Sequence, residues 1–233
     1  MSNNTNPSNP TPEPAPPKAP VERSEQDQKM ANDITEAGQM FAKIAGSEEI
    51  RTLLAVRGYA AAELAEGKAQ HTAADAGFSA RQTAISRQRS ASEAVGALEP
   101  KVRETFADFR ETVTTVLAKP DWTALGATGR VPGDTQKFIT AARNAYKAAK
   151  TAPYAAEMAK YGYPAATLDA DLAMVDAFES ADSAHETAAG AAVQATKERN
   201  TAFAALDKWL KKFKPIAWLA LKSKPGLVTE LKL

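Results

Sequence analysis

From Ser24 to Leu233, apolar residues return at intervals of three and four rather than two, the spacing that lines one side of an α-helix rather than one face of a strand. The clearest run is Leu98, Val102, Phe106, Phe109, Val113 and Leu117, spaced 4-4-3-4-4. No stretch alternates as a strand would. A chain patterned this way buries its apolar residues by packing helix on helix, and its composition says how closely. Alanine accounts for 50 of the 233 residues, roughly twice an ordinary share. Alanine-lined helices approach each other closely and leave a thin core, so truncating one of its phenylalanines or leucines should cost ~2–5 kcal/mol.

Helix stops are equally legible. Gly58 and Gly162 each follow an apolar-periodic run, and glycine takes the left-handed cap conformation without a steric penalty. A tyrosine comes next in both places, Tyr59 and Tyr163. Both are expected to pack under the turn. Pro164 then stands where a helix can begin, since its missing amide has no partner in a first turn.

That coincidence points to a repeat with a shift of 104 residues. The shift lays Gly58-Tyr59 on Gly162-Tyr163, Leu64 on Leu168 and the SARQTA string from Ser79 on SAHETA from Ser183. The core stripe falls on Ala202, Leu206, Leu210, Phe213, Ala217 and Leu221. Over Ala45 to Ala118 there are 16 identities in 74 positions, nine of them alanine on alanine. The other seven keep register with both the helix stop and the stripe. The expected fold is therefore all-α: an internally duplicated, pseudo-twofold antiparallel bundle of four long helices, with a linker helix near Gln136 to Lys150. Residues 24–120 form the first repeat, 121–134 a linker loop and 135–233 the second repeat, both repeats making one domain. Each long helical region of about 55 residues has one place to break: Gly96 to Pro100 in the first, and Pro215 in the second.

Residues 1–23 read differently. The first 20 hold seven of the 14 prolines and no aromatic or branched aliphatic residue, too little to offset the entropy of ordering them. A disordered, solubilising tail is expected in preference to a PxxP docking motif. There is no pattern of a secretory signal, and the longest apolar run, Ile216 to Leu221, is six residues, against ~20 for a bilayer span. The reading is a cytoplasmic protein without a transmembrane segment.

Chemistry is sparse. With no cysteine, disulfides, zinc knuckles, iron–sulfur clusters and thiol catalysis are excluded. A net charge of +1 gives no long-range pull toward nucleic acid or anionic membrane, so any such pull must be local. The GATGRVPGD loop lacks the GK[S/T] of a phosphate loop, so it reads as a linker. His71 and His185 are the only histidines, 114 residues apart, and their spacing outlines no Ser-His-Asp arrangement. Asp182 and His185, with Glu179 and Glu186, form the nearest approach to a bundle metal site. The matching stretch Gly77-Phe-Ser-Ala-Arg81 offers no carboxylate or histidine, so a solvated acidic face is the expectation, with no catalytic residue, metal or cofactor.

One surface stands out. Residues 165–206 carry a charge balance of −5 and residues 207–233 one of +5. On a straight helix Trp218 and Leu219 point away from the stripe, among Lys208, Lys211, Lys212 and Lys222, a combination suited to a membrane interface or an acidic partner. The competing expectation, and the preferred one, is that Pro215 rotates the last turns so that Trp218 and Leu219 join the core. For the whole chain, the leading expectation is a non-enzymatic scaffold or protein-interaction module whose partner is protein, a second copy included. A protein that coats lipid or granule surfaces through the Lys/Trp end is the alternative, and a metal-binding bundle the third.

Overall fold

The computed structural model describes residues 24–233. The disordered-tail reading of residues 1–23 lies outside these. Among the described residues the regular structure is entirely helical: α1 Glu25–Gly46, α2 Glu48–Ala55, α3 Ala61–Val116, a 3-10 turn Lys119–Asp121, α4 Thr135–Ala149, α5 Tyr154–Lys160, α6 Ala165–Leu221 and α7 Pro225–Glu230.

Local chemistry sets the boundaries. Ser24 caps α1 by accepting from the Asp27 amide at 3.2 Å, Ser47 caps α2 from the Ile50 amide at 3.2 Å, and Asp134 caps α4 from the Lys137 amide at 2.9 Å. Each satisfies a first-turn N–H that has no partner inside the helix. Gly58 and Gly162 sit at φ +88° and +91°, the left-handed conformation that ends one helix and turns the chain into the next. The Tyr59 amide donates to the Leu54 carbonyl at 3.1 Å, and the Tyr163 amide to that of Met158 at 3.0 Å.

Two corrections concern length and continuity. Two helices, not four, are long: α3 has 56 residues and α6 has 57, against 22 in α1 and 15 in α4. Neither breaks at its proline. Pro100 lies inside α3 and Pro215 inside α6, both exposed. The lost amide bond is one among more than fifty, and a proline on the outer side leaves the carbonyl it releases within reach of water.

Helices α3 and α6 run antiparallel, and each end of the pair is thickened by a core of its own. The first core gathers Ile34, Met40, Phe41 and Ile44 of α1, Ile50 and Leu54 of α2, Ala74 and Phe78 from early α3, and Leu206, Trp209, Phe213, Ala217 and Leu221 from late α6. The second gathers Val102, Phe106, Phe109 and Val113 from late α3, Phe138, Ile139, Ala142 and Tyr146 of α4, Met158 of α5, and Leu168, Val175 and Phe178 from early α6. Helix α4 is thus no accessory alongside a bundle. Residues 121–134 are also more than a tether: Leu125 is fully buried, and Arg103 donates to the Pro132 and Gly133 carbonyls at 3.0 and 3.2 Å.

Between the cores the two helices run alone as a shaft. No residue from 79 to 101 of α3 is buried. Where the first core gives way to this shaft the backbones come close: a Cβ added to Gly77 would lie 3.2 Å from the Arg199 Cα. At 1.5 Å per residue, 56 residues extend ~84 Å, which is the scale of the rod.

Candidate functional site

The face that carried the strongest charge signal is the outer side of the last turns of α6. Leu206, Trp209, Phe213, Ala217 and Leu221 bind the opposite side into the first core. The helix continues through Pro215 without a break, so no rotation brings the next residues inward. Trp218 is 48% exposed and Leu219 38%. The preferred sequence expectation, that both join the core, is overturned for that reason.

The lysines around them differ in their engagement. Lys211 pairs with Asp207 one turn back at 2.6 Å, and just beyond α6 Lys224 reaches Glu49 at 2.6 Å. Among the described residues no carboxylate comes within ion-pair distance of Lys208, Lys212 or Lys222. Lys214 belongs with them. Four residues before Trp218, it sits about 40° from it on the helix, a position legible in the sequence but missed there. Beside this face lies a cleft of ≈ 390 Å³ between α1, α6 and the C terminus, floored by Ala37, Met40 and Leu206 and rimmed by Lys29, Asp33 and Lys214.

The metal candidates do not converge. Glu179 accepts from Arg143 at 2.6 Å, and Arg143 also holds Asp176 at 2.7 Å. Asp182 accepts from the Gln136 amide at 3.0 Å. His185 is half-buried and Glu186 exposed. Among the described residues no group of three or more His, Cys, Asp or Glu could hold a metal ion. His71 bonds the Ile34 carbonyl at 3.1 Å and packs over Gly38, where an added Cβ would lie 2.9 Å from its Nε2. That contact fixes α1 against α3.

Two buried polar groups gave no sequence signal, because each depends on residues from distant helices. Asp27 lies between Arg81, at 2.9 Å, and Arg199, so one carboxylate ties α1 to both long helices. Burial alone would raise its pKa, but the Arg199 hydrogen bond and the charges of Arg81 and Arg199 hold it below the usual 3.8. In the second core, Asp171 is buried and its Oδ2 has no hydrogen-bond partner. Burial raises its pKa, and burial and the Asp171 charge raise that of the Tyr146 phenol.

No helix among the described residues is long and apolar enough to cross a membrane. No protein-family model matches the chain, and no curated protein or solved structure matches it.

Proposed function

We propose that this chain is a non-enzymatic helical scaffold, an interaction module that holds two packed ends apart on a rigid shaft and presents its outer faces to partners. The observation that carries this reading is the distribution of packing. The large aromatic residues are spent in two cores at opposite ends of α3 and α6, and the stretch between them is a slim helix pair with long open sides. One such side is a shallow groove lined by Ala80, Thr83, Ala84, Ser183, Ala184 and Thr187.

The module is read as the product of a duplication, each copy contributing a short helix pair, a glycine turn and one long helix. Supporting this, Gly58 and Gly162 make equivalent turns, and Tyr59 meets Phe213 at 5.0 Å and 81° while Tyr163 meets Phe109 at 5.3 Å and 82°. Both pairs follow the 104-residue shift. Each copy thereby completes the other's core.

Size-exclusion chromatography with light scattering, together with a pull-down using the tagged full chain, tests the function. Defined assembly with itself or with another protein is the expected result. A strict monomer that captures nothing contradicts it.

A further inference from the structure

We propose that the outer face of α6 from Lys208 to Lys222 docks on an anionic lipid surface, with Trp218 and Leu219 entering the headgroup layer. The proposal rests on the interaction-module reading and adds a lipid surface to the protein partners expected of it.

Three observations carry it. First, the geometry is fixed by the fold: the core side of α6 is held by Trp209, Phe213, Ala217 and Leu221. At 100° per residue, Lys211, Lys214 and Lys222 then fall within ~40° of Trp218, and Lys208, Leu219 and Lys212 within ~120° on one side. Second, Lys208, Lys212, Lys214 and Lys222 have no carboxylate at ion-pair distance among the described residues. Their charge is available to a partner.

Third, the fold does not require this surface. The positions 104 residues earlier that match Lys208, Lys212, Trp218 and Leu219 are Glu104, Asp108, Thr114 and Thr115; Lys211 falls on Ala107, and Lys214 on Arg110, whose guanidinium is taken up by the Thr128 and Gly129 carbonyls. These positions belong to α3, a helix packed in the same manner against its own core. There the outer side is acidic and carries no large apolar residue. The basic aromatic face is therefore a property of one end, and neither packing nor helix formation accounts for it.

The chemistry selects lipid over an acidic peptide. Trp218 and Leu219 stand on the convex outer side of α6, outside the neighbouring cleft, and that cleft is itself lined by Asp33, Glu36 and Asp207, which would repel an acidic peptide. A deformable anionic bilayer meets a convex face, attracts lysines through its surface potential and accepts an indole at headgroup level. Apolar insertion and charge act together, so loss of either should be severe.

Flotation of the full chain with vesicles of phosphatidylcholine and about a third phosphatidylserine tests this, beside vesicles of phosphatidylcholine alone. The expected result is flotation with the anionic vesicles at low salt, lost at high salt and absent with the neutral vesicles. Replacing lysines should weaken binding by roughly fivefold each, and Trp218→Ala with Leu219→Ala by more than tenfold. Unchanged circular dichroism would show that these exposed positions leave the fold intact. A blue shift of tryptophan emission on adding vesicles should disappear in Trp218→Phe. No flotation at low salt, or flotation that ignores both sets of variants, overturns the proposal. If vesicles are ignored while the same variants abolish a defined protein complex, the lipid assignment is wrong and the interaction-module reading stands. Failure of both assays removes both.

Discussion

The ring of Tyr59 meets that of Phe213 edge-on with 5.0 Å between centroids, and Tyr163 meets Phe109 in the same way at 5.3 Å. Each pair joins the turn of one half to the long helix of the other. An edge-to-face pair contributes ~0.5–1.5 kcal/mol beyond its buried area. Double-mutant cycles with leucine at both positions, followed by chemical denaturation, should give coupling in that range at both sites. Coupling near zero at either would show that the two contacts are not equivalent. Phe213→Ala or Phe109→Ala alone should cost ~3–5 kcal/mol.

Gly67 gives way to an indole. A Cβ there would lie 2.3 Å from Cζ2 of Trp209, whose ring stacks on Phe213 at 4.6 Å. Gly67→Ala should therefore destabilise by ~1–3 kcal/mol, although alanine is the better helix former by ~1 kcal/mol. Combined with Trp209→Leu, the double variant should cost clearly less than the sum of the single ones. Additive losses in denaturant melts would place the ring elsewhere.

Asp27 is buried between Arg81 and Arg199. Removing it strands two guanidinium groups, so Asp27→Val should cost ~3–5 kcal/mol. The positions 104 residues away are Val131, His185 and Val95, and both valines pack against the second core. The combined Asp27→Val, Arg81→His and Arg199→Val chain should accordingly be much more stable than Asp27→Val alone. Equal loss in both, measured by thermal denaturation, would contradict the account.

Acid should act oppositely on the two buried carboxyls. The folded-state pKa of Asp27 lies below 3.8, so its stabilising effect is present above the unfolded value and is lost as pH falls through the folded one. That of Asp171 is raised by burial, so its charge opposes folding at neutral pH and the penalty fades as pH falls and the group protonates. Asp171→Asn should raise the melting temperature at pH 7, with the gain shrinking as the pH is lowered toward 3. A gain that grows on acidification would reverse the assignment.

The long helices, their stops at Gly58 and Gly162, and the core stripe from Val102 to Val113 were legible in the sequence because they are local: 3.6-residue periodicity and glycine caps need no knowledge of neighbours. The role of α4 was not legible. Its place in the second core rests on the burial of residues such as Phe138 and Tyr146 against distant helices, which local spacing does not announce. Trp218 was misread because the effect of Pro215 on a helix depends on packing before and after it. The Asp27 cluster joins residues up to 172 positions apart, and no spacing announces it.

Small-angle X-ray scattering of the full chain tests most directly whether the two cores stand at opposite ends of one continuous rod. A thin rod of ~84 Å has a radius of gyration of about 24 Å, and the account predicts that value or somewhat more, with a scattering profile of elongated form. A compact particle near 17 Å, the size of an ordinary globular chain of this length, would mean that α3 and α6 fold back on themselves and that no such shaft exists.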